Sequence, residues 1–133
     1  MKIHSQYCIT AAYAVTAPAG HQPAEKREFP DCLFLQVGVE SDDTPTTLSD
    51  AVKEIRRIGR NTGAKRLLVN GFAGYADKKL RPDLAAARDR LADLIRRLEA
   101  DGWEEVHWMP FGLNKDLLLD IPGGLWEQRI AHL

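Results

Sequence analysis

Residues 32–39 read Cys32-Leu33-Phe34-Leu35-Gln36-Val37-Gly38-Val39, a nearly continuous apolar run. A strand with one face in water alternates apolar and polar residues, whereas an unbroken run has to be covered on both faces. This segment is therefore predicted to be the central strand of a sheet that carries helices. A second run, Leu67-Leu68-Val69-Asn70, reads the same way. Between them the period changes from two to 3.6. Leu48, Val52, Ile55 and Ile58 form one stripe of a helix over about 47–61, with Thr46 or Thr47 as its cap and Gly63 as its stop. After the second run comes another helical pattern over about 82–100. Pro82 suits its first position, and Leu84, Ala87, Leu91, Leu94, Ile95 and Leu98 line one face.

The remaining segments complete one mixed sheet of the α/β class, on the border of α+β. Residues 2–9 and 11–16 are predicted as two antiparallel strands and 17–30 as a loop. Residues 71–79 form a further loop, and 104–109 and 116–121 form a hairpin. Gly123-Gly124 then leads into a short terminal helix bearing Trp126 and Ile130. At 133 residues the chain is predicted to be a single domain, 1–133. No apolar run approaches the roughly 20 residues of a membrane span. The first residues lack the apolar stretch of a secretory signal, so a cytoplasmic protein with no membrane contact is expected. Cys8 and Cys32 then read as buried free thiols. The formal net charge of −1 excludes a global basic footprint for nucleic acid.

Chemistry concentrates at Met109-Pro110-Phe111-Gly112-Leu113-Asn114-Lys115. Pro110 and Gly112 bend the backbone and hold Lys115 at the mouth of a turn between two strands predicted to be buried. A lysine partly desolvated there polarises a carbonyl or holds a water; the plainer alternative is a solvated turn residue. Gly71-Phe72-Ala73-Gly74 follows a buried strand, and its glycines permit close backbone approach to a ligand. Its spacing is not that of a dinucleotide fingerprint or a phosphate loop. Lys53, Arg56, Arg57, Arg60, Lys65 and Arg66 make the most basic window, either a solvated helix face or a contact for nucleic-acid phosphates. No metal site is expected: His4 and Cys8 share a strand face but stand about 13 Å apart. No Ser-His pair is expected either, because Ser5 and His4 point to opposite faces.

Three blocks taken in order resemble a known family. They are Lys2-Ile3-His4-Ser5-Gln6-Tyr7; Val69-Asn70-Gly71-Phe72-Ala73-Gly74 followed by Leu80-Arg81-Pro82; and Pro110-Phe111-Gly112-Leu113-Asn114-Lys115 followed by Leu125-Trp126-Glu127. At these spacings the chain resembles the archaeal-type N-terminal editing domain of threonyl-tRNA synthetase, which has the fold of the D-aminoacyl-tRNA deacylases. The resemblance covers nearly the whole chain.

The resemblance implies hydrolysis of the ester that joins a wrong amino acid to the 3′ end of tRNA, seryl-tRNA specific for threonine above all, or of a D-aminoacyl ester. It implies Lys115 and Glu127 as the catalytic pair. A substrate pocket would be formed by His4, Ser5, Gly71, Phe72, Ala73, Gly74, Pro110, Phe111, Gly112 and Asn114. No cofactor is implied. The partner is the tRNA acceptor end and, since no aminoacylation domain follows Leu133, a threonyl-tRNA synthetase in trans. A homodimer is expected by resemblance and from the large apolar groups Trp103, Trp108 and Trp126. Two positions depart: Gly74 stands where the family has histidine, and Asn114 where it has tyrosine. They keep two alternatives open, a non-catalytic module that binds tRNA or a synthetase, and a small hydrolase with a repurposed pocket.

Overall fold

The computed structural model describes residues 1–17, 21, 25–74 and 78–133. Six strands form one sheet: β1 (Lys2–Val15), β2 (Arg27–Val39), β3 (Arg66–Ala73), β4 (Glu105–Trp108), β5 (Lys115–Asp120) and β6 (Gln128–His132). Their order is β4-β3-β2-β1-β5, with β6 also on β1. β2 pairs parallel with β3, and β3 with β4, through crossovers that contain α1 (Pro45–Thr62) and α2 (Leu84–Glu99). Both helices pack their apolar stripes on one face, against Ile3, Leu33, Leu35, Val37, Leu67 and Val69. The central strand and both helices lie where the periodicity predicts them.

Caps define the helix ends. Thr44, not Thr46 or Thr47, caps α1: the Thr47 amide donates to its hydroxyl (3.2 Å), and the Thr44 amide donates to the Thr47 hydroxyl (3.0 Å). Gly63 ends α1 at φ +76°. Asp83 caps α2 through the Ala86 amide (2.7 Å), so Pro82 lies just before the cap rather than inside the helix.

Residues 2–15 form one strand, not two. What separates its halves is a bend rather than a turn, and its cause lies on the partner strand. Pro30 has no amide hydrogen, and Asp31 stands at φ +48°. Before the bend, Cys8, Cys32 and Phe34 face away from the helices; beyond it, Ala11, Tyr13 and Phe29 do. The inward positions change parity, and the distal halves of β1 and β2 fold over that second face. Tyr13 thereby reaches across to β4, where its hydroxyl lies 2.6 Å from His107 Nε2 and its ring stacks with Phe29. Cys8 and Cys32 are buried there as free thiols.

Four further expectations are corrected. The 17–30 loop is shorter, because β2 already begins at Arg27; residues 18–20 and 22–24 lie outside the described residues. The 71–79 loop likewise gives up 71–73 to β3, and 75–77 are outside the described residues. The runs 104–109 and 116–121 make no hairpin. β4 lies beside β3, while β5 takes the outer edge of distal β1. Lys115 therefore starts an edge strand with exposed residues, not one of two buried strands. Finally, the terminal helix is strand β6. The open edge of β1 satisfies the backbone groups of Gln128 to His132 as a strand partner.

His107 gives the folded state a pH dependence. Burial, then repulsion from Arg27, holds its imidazole below the usual histidine value, against the opposing pull of Glu105. The neutral ring shares a hydrogen bond with the Tyr13 hydroxyl. A depressed folded-state value stabilises the protein above about pH 6.5, and the contribution is lost as the pH falls through the lowered value. The wild-type melting temperature is expected to drop more than that of His107→Phe between about pH 7 and pH 5. Parallel curves for the two proteins would refute this.

Candidate active site

The folded-over hairpin brings Lys115 to Asn70. Asn70 follows Leu67-Leu68-Val69 on β3; Leu68 faces away from the helices, and by strand alternation so does Asn70. Lys115 pairs with Val15 at the far end of β1. In a flat sheet the two would stand at opposite ends. The bend closes that gap, and Lys115 Nζ donates to Asn70 Oδ1 at 2.8 Å. The connection 109–114 is pinned at both ends. The Met109 amide donates to the Val69 carbonyl (2.8 Å), and the Thr16 amide donates to the Asn114 carbonyl (2.9 Å).

A cavity of about 360 Å³ opens beside this contact. Of the residues predicted for the site, Gly71, Phe72, Ala73, Phe111, Gly112, Asn114 and Lys115 line it. Asn70, Leu84, Leu113 and Leu117 also line it, outside the predicted set. The one available signal was a lone polar residue, Asn70, closing an apolar strand. Lys115 is half-buried, and desolvation lowers its amine below the usual lysine value. Phe72, Leu84, Phe111, Leu113 and Leu117 share the lining with one cation and two amides. That arrangement fits a small polar carbonyl compound, held by hydrogen bonds and enclosed by rings.

Four residues predicted for the substrate pocket lie off the wall. Gly74, at φ +71°, turns the chain towards Arg81. Pro110 borders a neighbouring hollow. Ser5 is buried and donates to the Arg129 carbonyl at 3.5 Å. His4 is in register with Gln36, and Gln36 with Asn70, so two strand spacings put His4 about 10 Å from Asn70.

The Lys115–Glu127 pair is not formed. The Glu127 carboxylate accepts from the Trp126 amide at 3.0 Å, and its carbonyl accepts from the Tyr7 amide at 2.8 Å. That places Glu127 against the proximal half of β1, while Lys115 sits at the distal end. Burial is the cause of the lowered Lys115 value, with no carboxylate contributing to it.

The basic window follows its plainer reading in part. Arg56 pairs with Asp101, Arg57 with Glu54 and Arg66 with Glu104. Arg57 and Arg129 also lie over the Trp126 ring, 5.0 and 4.3 Å from its centroid. Elsewhere Glu40, Asp42 and Asp43 cluster, but Glu40 and Asp43 are ion-paired with the Met1 ammonium.

The chain is similar to known proteins. Residues 1–125 match the archaea-specific editing domain of threonyl-tRNA synthetase. A threonine–tRNA ligase of Methanosphaerula palustris is 29% identical over 124 residues, and one of Cenarchaeum symbiosum 27% over 127 residues. These alignments cover 91% and 92% of this chain but 20% of each ligase, so the chain spans about a fifth of their length. Among solved structures, a c-Myc DNA unwinding element binding protein superposes with a TM-score of 0.77 at 14% identity, covering 100% of this chain and 99% of that one. At that identity the likeness speaks for the fold alone. With the family match spanning nearly all of the sheet and the whole cavity wall, the chain belongs to the archaea-specific threonyl-tRNA synthetase editing-domain family.

Proposed function

We propose that this chain hydrolyses the ester of a mischarged aminoacyl-tRNA, with seryl-tRNA specific for threonine as its substrate. One observation carries the reading most: the Lys115 amine, held by Asn70, projects into a small cavity of a chain in an editing family. Ester hydrolysis passes through a tetrahedral intermediate whose oxygen gains negative charge. An ammonium fixed by one acceptor has two further N–H groups to offer that oxygen. Partial burial strengthens the attraction, because fewer waters compete. Asn70 orients the amine, and the aromatic walls exclude water from all but the attacking position. Glu127 has no part in this step. The attacking water is then positioned by the RNA's own 2′-hydroxyl and by backbone groups of the 111–114 turn.

The protein is proposed to act in the cytoplasm, in trans to a threonyl-tRNA synthetase. Among the described residues no helix is long and apolar enough to cross a membrane. Asn114 and Gly74 favour the second reading, a module that binds the acceptor end without cleaving it. Deacylation assays on a panel of mischarged tRNAs separate the two. Release of serine from threonine-specific tRNA supports the enzyme, and tight binding with no release supports the module.

A homodimer is proposed on different grounds from those first expected. Trp103, Trp108 and Trp126 all pack on the helix-side core, so they are not the surface that pairs. Ile9, Leu117 and Leu118 are instead exposed on and beside the edge strand β5, where a second copy would bury them. Light scattering at micromolar concentration is expected to give about twice 14.9 kDa. A mass of 14.9 kDa would refute the dimer.

A further inference from the structure

We infer that the hollow on the far side of Phe111, beneath the Arg88 guanidinium, seats the RNA nucleotide that precedes the terminal adenosine. This rests on the deacylase reading above and names where the RNA chain runs on leaving the cavity. The hollow is open, about 300 Å³, and is lined by Arg88, Trp108, Met109, Pro110 and Phe111. It shares one wall with the Lys115 cavity, the Phe111 ring. A ligand that fills the first and extends past that ring enters the second.

Helix α2 gives the two compartments one edge. Leu84 lines the first, and Arg88, four residues on and so on the same helix face, lines the second. The chemistry of the hollow suits a nucleotide. Arg88 lies over the Phe111 ring, 5.4 Å from its centroid. It is exposed and has no carboxylate within 4.0 Å among the described residues, unlike Arg56, Arg57, Arg96 and Arg97. Its charge is therefore unspent, and its planar fork matches a phosphodiester. Trp108 and Pro110 add apolar surface on which a base can rest without being read, as a sequence-tolerant single-strand site requires. A free amino-acid ester would leave all of this unused.

The test compares two esters with the same acyl group, one on adenosine and one on the trinucleotide CCA. Wild-type protein is expected to show a lower KM for the trinucleotide ester. Arg88→Ala is expected to raise that KM about tenfold, with kcat kept and the adenosine ester unaffected. The salt slope of trinucleotide binding should fall by about 0.7, one phosphate contact on a single strand. Arg88→Lys should recover part of the loss, retaining the charge without the fork. Equal loss on both esters, or no loss on the trinucleotide, would overturn the inference. If the wild type cleaves neither ester, the deacylase reading fails by itself. Binding of unacylated CCA against adenosine then decides the matter: an Arg88-dependent gain supports the seat, and its absence overturns it. Arg88 is exposed, and circular dichroism checks that each variant is folded.

Discussion

Lys115→Ala is expected to lower the deacylation rate by roughly two to three orders of magnitude, the usual cost of removing one oxyanion stabiliser. The fold should survive, because the amine makes one hydrogen bond and lies at the sheet edge. Lys115→Arg should not restore full activity, since a planar guanidinium does not fit where Asn70 holds a compact ammonium. Stability should move the other way. Burial lowers the amine's proton affinity in the folded state, so holding the charge there costs folding free energy at every pH below the lowered value. That cost is relieved as the pH rises through it. Lys115→Met is therefore expected to be more stable than wild type at neutral pH while inactive, as groups kept for function commonly are. Single-turnover deacylation and urea denaturation measure the two effects. Undiminished hydrolysis by the alanine variant would remove Lys115 from the mechanism and leave the binding-module reading.

The second large effect belongs to the core that holds Lys115 in place. Phe34 is fully buried on the face away from the helices, in a cluster with Cys8, Tyr13, Phe29, Leu68 and Met109. Phe34→Ala is expected to cost about 3–5 kcal/mol of stability, a large share of the roughly 5–15 kcal/mol that a domain has. The cluster joins the folded-over half of β1 and β2 to β3 and to the start of the 109–114 connection. Activity in Phe34→Ala should fall even where the protein remains folded, because a looser hairpin no longer fixes Lys115 against Asn70. Phe34→Leu, which leaves a smaller void, should lose less of both. A urea midpoint unchanged by the alanine substitution would show that this cluster does not hold the hairpin.

The two kinds of secondary structure were legible to different degrees. Helices α1 and α2 announce themselves locally, since each carries its apolar stripe within one segment and needs only a sheet to cover it. The buried strands of β2 and β3 are also local, because burial on both faces leaves an unbroken run. Edge strands are not. Residues 128–132 carry no pattern that separates strand from short helix. What makes them a strand is the unpaired edge of β1, more than a hundred residues away in sequence. The 105–120 region misled for a related reason. Two strand-like runs joined by Pro110 and Gly112 suggest a hairpin when only neighbours are considered, yet each run pairs with a different, distant strand.

The candidate site divides along the same line. The turn at 109–115 and the glycine at the end of β3 follow from residue type alone: proline and glycine permit few backbones, and a lysine among apolar runs has few uses. The partner of Lys115 does not follow. Sequence resemblance points to Glu127, but its backbone carbonyl is bonded to the Tyr7 amide, its carboxylate accepts from the Trp126 amide, and the Lys115 amine goes to Asn70. The deciding event is the bend at Pro30 and Asp31, which changes the parity of two strands and carries the end of β1 across the sheet. Local propensity determines which residues become helix or buried strand, because those choices are made within a few bonds. Which side chains meet in the cavity depends on how a fourteen-residue strand curves, and that curvature comes from packing between segments that no local pattern connects.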